Sequence, residues 1–326
     1  MTIIENADLL KYNTFRLPAK ARRLVIYDNV EELVDYLQGH REENLLPIGQ
    51  GSNLLFTGDY SGTVLVSNMK KVWHDEDLWT AESGVVMDEL IEQTILAGYG
   101  GLENLSHIPG VVGAAAVQNI GAYGVELKDT VEKVDALYVP EMKVVTLTKE
   151  DCRYGYRDSF FKHQKTGTFI VLSVSFRLSQ HSELRLDYGH LRTEIEGEPT
   201  PLKVREAVVK IRRKKLPEVG EIGSAGSFFK NPFVPVEQFE KIRSQYPNVP
   251  SFEQSGMIKI PAAWMIEQCG WKGRQIGGAA VYENQPLVLV NRGCVTSKDI
   301  LALSEAIQKS VKEMFGVQIE PEVVFI

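Results

Sequence analysis

Three side chains in this chain stand in surroundings suited to anion or proton chemistry. Arg157 lies in Tyr154-Gly-Tyr-Arg-Asp-Ser159, Ser227 in Ala225-Gly-Ser-Phe-Phe-Lys-Asn-Pro232, and Glu322 in Glu320-Pro-Glu-Val323. A guanidinium is a rigid fork that can hold a carboxylate or a developing enolate. The plain alternatives for Arg157 are an ion pair with Asp158 and packing on a neighbouring tyrosine. A serine donates a proton only when placed against a strongly basic atom with its alkoxide stabilised, for which Lys230 is nearby in sequence; otherwise a serine beside glycine serves a turn or cap. Two carboxylates at 320 and 322 suggest acid–base work, against the alternative of a solvated tail. Lys210-Ile-Arg-Arg-Lys-Lys215 carries five basic residues in six, which suits either a solvated helix end or a polyanionic ligand.

Two glycine-rich segments add a binding surface. Ile108-Pro-Gly-Val-Val-Gly-Ala-Ala-Ala-Val-Gln-Asn-Ile-Gly-Ala-Tyr-Gly124 is almost uncharged, and its glycines and alanines keep side chains away from anything lying against it. Such a stretch suits a large, flat, partly anionic ligand on main-chain N–H groups, or a tightly packed core turn. In Leu45-Leu-Pro-Ile-Gly-Gln-Gly-Ser-Asn-Leu-Leu-Phe56 a polar glycine turn separates two apolar runs. It is not a Rossmann fingerprint, because Leu54 takes the place of the third glycine and a strand, not a helix, follows; nor is it a P-loop, since no Gly-Lys-Ser/Thr occurs.

The elements that must position these groups read as a mixture. Asn29 caps an expected helix through Gln38, and residues 86–97 form an amphipathic helix closed by Gly98. Residues 131–139 and 143–147 flank a Pro-Glu turn as a hairpin. Ile170, Leu172, Val174, Phe176 and Leu178 alternate with mostly polar residues, the period of a half-buried strand. Gly197-Glu-Pro-Thr-Pro201 marks a boundary, followed by a helix from about Leu202 to Lys215. Pro261 opens a helix that stops at Gly270. Thr296 and Asp299 form a capping box for a helix carrying Ile300, Leu303, Ile307, Val311 and Met314 on one face, stopped near Gly316.

The chain has 326 residues, 44% of them hydrophobic and 24% charged, with ample material for two domains. A net charge of −7 argues against general nucleic-acid binding. No run approaches the roughly 18 apolar residues of a membrane span, and the N-terminal residues show no basic and apolar signal pattern. Cys152, Cys269 and Cys294 lie far apart, as expected for reduced, mostly buried thiols and not for a disulfide framework or a metal site. A cytoplasmic protein is expected.

Asn13-Thr-Phe15, the 49–53 loop, the 108–124 segment, Tyr154-Gly-Tyr-Arg-Asp-Ser159, Ala225-Gly-Ser-Phe-Phe-Lys-Asn-Pro232, Gln275-Ile-Gly-Gly-Ala-Ala280 and Glu320-Pro-Glu-Val323 occur in one order. Together they resemble the UDP-N-acetylenolpyruvoylglucosamine reductase family of peptidoglycan precursor synthesis, in the form with an extra tyrosine-bearing substrate loop. The resemblance implies an α+β fold. Residues 1–200 would form a two-lobed FAD-binding domain of the vanillyl-alcohol-oxidase (PCMH) type, with lobes of about 1–67 and 68–200. Residues 201–326 would form a smaller α/β substrate-binding domain whose C-terminal tail returns to the flavin site. It implies non-covalent FAD against Gly49, Gly51, Ser52, Asn53, Ile108, Pro109, Gly110, Gly113, Ala114, Asn119, Gly121, Ala122, Tyr123 and Gly124, with NADPH as electron donor. The implied catalytic residues are Arg157, Ser227 and Glu322. Arg157 and Glu322 would stabilise an enolate-like intermediate that Ser227 protonates. Tyr156, Tyr188, Arg212, Lys215, Asn231 and Gln285 would contact the substrate, a UDP-sugar enolpyruvyl ether. His107 is expected to be a hydrogen-bonding bystander and not a flavin attachment point. A family member has Ser-Ser-Pro where this chain has Ala114-Ala-Ala116, which places one flavin contact in question. The protein is expected to act as a monomer without metal, nucleic-acid or membrane partners. The rival readings are an oxygen-using flavin oxidase and a catalytically inactive flavin- or nucleotide-binding module.

Overall fold

The computed structural model describes residues 1–40, 44–218, 220–254, 256–293 and 295–326. The chain divides into two compact units. The first comprises Met1–Leu9, Lys20–Gln50 and Tyr60–Arg213; the second comprises Leu10–Ala19, Gly51–Asp59 and Lys214–Ile326. The second unit thus takes two short pieces from the N-terminal part of the chain as well as its last third.

The first unit is built on two sheets. One has the order Thr2–Asp8, Lys20–Tyr27, Tyr60–Ser67, Leu45–Ile48, antiparallel at its first pair and parallel thereafter. Helix α1 (Val30–Gly39) begins at Asn29, whose side chain accepts the Glu32 N–H, and Glu31 and Glu32 sit at the positive end of the helix. Leu33, Tyr36 and Leu37 of α1 pack with Val25, Leu45 and Leu65. The second sheet is antiparallel, in the order Lys143–Thr148, Val131–Tyr138, Phe169–Arg177, Leu78–Glu82, Val72–Asp75. Helices α2 (Met87–Leu96) and α3 (Val112–Gln118) complete its core. Helix α4 (Pro201–Lys215) buries Val204, Ala207 and Val208 against Leu191 and Ile195.

The Phe169–Arg177 strand departs from the half-buried pattern expected of it: every residue from Ile170 to Phe176 is buried. Ile170 and Leu172 belong to the core of the first sheet, and Val171, Val174 and Phe176 to that of the second. Its serines do not face water. Ser175 shares a hydrogen bond of 2.9 Å with Thr80, and Ser173 donates to Asp135 at 3.2 Å. Polar residues in a central strand are tolerated when partnered in this way.

The second unit holds a four-stranded antiparallel sheet in the order Gly223–Ser227, Val288–Asn291, Ala279–Val281, Gln275–Ile276. A three-stranded sheet and helices α5 (Val236–Gln245), α6 (Ala262–Gln268) and α7 (Ser297–Phe315) surround it. The capping box of Thr296 and Asp299 is formed, and Gly316 ends α7 in the left-handed region. One member of the expected apolar stripe is replaced: Met314 is 42% exposed, and Phe315 is buried in its place. Successive steps of four from Ile307 through Val311 lead to Phe315, which keeps the stripe on the face packed against Phe239 and Ile260. Cys152 is buried, which pushes its thiol up to about 11, and Cys269 is partly buried. Cys294 lies outside the described residues.

Candidate active site

In the first unit, Arg157 sits at the tip of a tight loop closed by two reciprocal backbone hydrogen bonds, Gly155 N–H to Asp158 C=O (3.0 Å) and Asp158 N–H to Gly155 C=O (3.1 Å). Its φ of +53° lies in the left-handed region, which an L side chain adopts only when its surroundings enforce it. The guanidinium donates to the Gly121 carbonyl at 2.6 Å and stands 5.3 Å from the centre of the Tyr156 ring. The Asp158 carboxylate lies 2.8 Å from His163 Nε2. Both the arginine and the glycine segment therefore belong to one locus.

The 108–124 segment is less open to a ligand along its length than its composition suggests. The N–H groups of Val112 and Gly113 are spent on the carbonyls of Val85 and Ser83, at 2.9 and 3.0 Å. Asn119 is fully buried, ends α3 in the left-handed region, donates to Gly155 C=O at 2.7 Å and accepts the Lys128 N–H at 3.0 Å. These groups hold the segment in place. Gly49 meets the start of α3: a Cβ built on it would lie 2.7 Å from Val111 and 3.2 Å from the Cβ of Ala114. The two glycine segments thus touch at Gly49, where the packing leaves no room for a side chain.

Tyr123 carries the next part of the locus. Its ring stands edge-on to Tyr188, with centroids 6.0 Å apart, and it packs against the buried cluster of Leu191, Ile195, Val204, Ala207 and Val208. Asn104 donates to the carbonyls of Tyr123 and Arg185, at 2.9 and 2.8 Å, fastening the Tyr188 loop to the glycine segment. Tyr188 itself is exposed. Arg212, on α4, turns inward and donates through Nε to the His107 carbonyl at 3.1 Å. Burial lowers its pKa, with Arg157 contributing in the same direction while Tyr123 and Asp88 oppose it. His107 donates its N–H to Asp88 at 2.6 Å, and Asp88 also receives both guanidinium nitrogens of Arg205. Of the basic run at the end of α4, Arg213, Lys214 and Lys215 are exposed.

In the second unit, Gly51, Ser52 and Asn53 lie beside the C-terminal tail. Asn53 donates to the Glu322 carbonyl at 3.2 Å and accepts the Val324 N–H at 3.0 Å, and Leu54–Leu55 pairs in parallel with Val324–Phe325. Thr14 ties Gly51 to the serine strand: its N–H reaches the Gly51 carbonyl at 3.2 Å and its hydroxyl the Ser224 carbonyl at 2.6 Å. Ser227 ends the Gly223–Ser227 strand after a register shift against Val288–Asn291. The next residues pair with the tail, through Lys230 N–H to Glu320 C=O (2.9 Å) and Glu322 N–H to Phe228 C=O (2.8 Å). Glu322 is thereby brought beside Ser227 in the ladder, and the buried rings of Phe228 and Phe229 fix this corner. Asn231 accepts the Ala262 N–H at 2.9 Å at the start of α6, and Gln285 lies in the turn before Val288–Asn291.

Sequence reading passed over Asp88, Arg205, Thr14 and Lys162. Of these, Thr14 and Lys162 lie within or beside a motif; Asp88 and Arg205 gave no local signal, because their pairing spans 117 positions. Among the described residues no cluster of three or more His, Cys, Asp or Glu side chains is arranged to hold a metal ion, and no helix is long and apolar enough to cross a membrane.

Comparison with known proteins gives concordant matches. Residues 217–326 match the family model described as UDP-N-acetylenolpyruvoylglucosamine reductase, C-terminal domain, and residues 21–148 match the one described as FAD binding domain. The chain is 46% identical to the UDP-N-acetylenolpyruvoylglucosamine reductase of Bacteroides fragilis over 98% of each chain. It is 42% identical to that of Chromobacterium violaceum over 97% of each. The crystal structure of the Thermus caldophilus reductase superposes with a TM-score of 0.70 at 23% identity, covering 99% of this chain and 98% of that one.

Proposed function

From membership of the UDP-N-acetylenolpyruvoylglucosamine reductase family, to which this chain belongs, we infer how its residues divide the reaction. The protein is an FAD-dependent oxidoreductase that reduces UDP-N-acetylglucosamine enolpyruvate to UDP-N-acetylmuramate with NADPH, in peptidoglycan precursor synthesis. The residues present fit FAD: the matched FAD-binding region contains both glycine segments, and Gly49 brings them together by packing against Val111 and Ala114 where a Cβ would not fit. When bound, FAD supplies the two-electron relay, accepting hydride from NADPH and passing it to the enolpyruvyl double bond. Ala114-Ala-Ala116 offers no hydroxyl to it, so main-chain groups and Tyr123 carry the contacts there.

The protein's own work is charge and proton management. Hydride addition at the vinyl C3 builds negative charge at C2 and on the carboxylate, where the Arg157 guanidinium stabilises it. Glu322, set beside Ser227 by the pairing of the tail, assists in stabilising the enolate-like intermediate. Ser227 gives its proton to C2, and its oxygen recovers a proton from solvent. Tyr156, Tyr188, Arg212, Lys215, Asn231 and Gln285 bind the nucleotide-sugar, the basic groups facing its diphosphate. The protein works in the cytoplasm as a monomer.

The observation that carries the proton-donor assignment is the backbone pairing that sets Glu322 against Phe228, next to Ser227. Ser227→Ala is expected to keep anaerobic flavin bleaching by NADPH near the parent rate and to slow reoxidation by the enolpyruvyl substrate about 100-fold or more. Equal losses in the two half-reactions would sink the assignment.

A further inference from the structure

We infer that Lys162 and Gly121 are positioning residues for Arg157, Lys162 holding its main chain and Gly121 its guanidinium; this rests on the reading that Arg157 is catalytic. Lys162 Nζ donates to the Arg157 carbonyl at 3.0 Å and to Gln118 Oε1 at 3.1 Å. Gln118 is the last residue of α3, so one ammonium ties the arginine loop to the end of the helix that carries the glycine segment. A cation there also faces the negative end of the helix. Lys162 is itself well anchored. It lies in a short helical turn, Phe160–His163, with Phe161 buried beneath it, and its N–H donates to the carbonyl of Ser159, whose hydroxyl is bound to Val117 C=O at 2.6 Å.

Arg157 needs such a fixture because its backbone is left-handed, at φ +53°. Relaxation to an ordinary conformation would swing the side chain to the other side of the loop. Lys162 opposes that rotation by binding the carbonyl that would move.

At the other end, the guanidinium rests on the Gly121 carbonyl at 2.6 Å. A Cβ at Gly121 would fall 2.9 Å from Arg157 Nη1 and 3.0 Å from the Val125 carbonyl. Glycine is therefore required at 121 for the close approach of the arginine, whatever else the segment binds. The carbonyl also orients the planar group, so that its remaining N–H donors point in a set direction.

The test uses the full-length FAD-loaded protein as Lys162→Met, Lys162→Arg and Gly121→Ala, and Lys162→Met again in an Arg157→Ala background. Single-turnover reduction by NADPH and reoxidation by UDP-N-acetylglucosamine enolpyruvate are measured separately. Lys162→Met and Gly121→Ala are each expected to slow reoxidation about 10- to 100-fold, the cost of a misplaced catalytic group. In Lys162→Met, reduction by NADPH should change less than about threefold, and Lys162→Arg should recover most of the loss. In the Arg157→Ala background, Lys162→Met should cost less than about twofold more, because the group it positions is gone. Equal slowing of both half-reactions by Lys162→Met, or a full additional loss in that background, would overturn the inference, as would parent-like reoxidation by Gly121→Ala. Disabled Arg157→Ala beside unaffected Lys162→Met would overturn it alone. Parent-like reoxidation by Arg157→Ala would overturn the reading beneath it and the inference together.

Discussion

Gly51 is the residue at which geometry leaves the chain no choice. Its φ is +65°, and a Cβ there would lie 1.9 Å from the Tyr12 carbonyl oxygen, a backbone atom that cannot swing aside. Gly51→Ala is expected to lower the urea-unfolding free energy by about 3 kcal/mol, combining left-handed strain with a main-chain clash. A loss below about 1 kcal/mol would mean that the Asn13-Thr-Phe15 turn can move. Arg157 poses the opposite case, a side chain whose value lies in chemistry. Arg157→Ala should leave the unfolding midpoint close to the parent value, while the rate of reoxidation by substrate falls about 10²- to 10³-fold, the usual cost of removing one donor aimed at developing charge. Unchanged reoxidation would remove Arg157 from the mechanism.

Among the elements, α2 and α4 are joined by Asp88, which binds Arg205 through both carboxylate oxygens and takes the His107 N–H. Burial pushes the Asp88 carboxyl up, but the Arg205 and His107 hydrogen bonds outweigh it and the net shift is below the usual 3.8. A carboxyl depressed in the folded state stabilises the fold above the ordinary carboxylate pKa, and that contribution is lost as pH falls through the folded value. Asp88→Asn should therefore melt below the parent at pH 7, and the difference in Tm should shrink as pH drops below about 4. A difference independent of pH would show that the carboxylate charge does not hold these helices together. In α7 the capping box offers a simpler case: Thr296→Ala removes the acceptor for the Asp299 N–H and is expected to cost about 1 kcal/mol in urea unfolding.

Across the whole molecule, a cofactor that binds the folded chain alone must stabilise it by mass action. FAD at about 100 times its Kd should add about 2.7 kcal/mol to the unfolding free energy. Acid precipitation should leave all the flavin in the supernatant if the attachment is non-covalent; flavin retained in the pellet would return His107 to attention.

Much of this was legible from the residues themselves. Helix starts and stops, such as Asn29, Thr296 with Asp299, and Gly316, are governed by hydrogen bonds within one turn, so short-range sequence sufficed. Seven motifs in one order were enough to place the chain in its family, because each is a local solution to a chemical demand. Other features were decided only when distant segments met. Whether Val112 and Gly113 present their N–H groups to a ligand depends on Ser83 and Val85, some 30 positions away. Which cation of the run at 210–215 turns inward depends on the His107 carbonyl, and whether the serines of Phe169–Arg177 meet water depends on Thr80 and Asp135. The pairing of Glu322 with the serine strand spans almost 100 positions. Sequence carries the chemistry of each group, whereas its partners, and so what remains available for function, are set by packing between segments that no local pattern encodes.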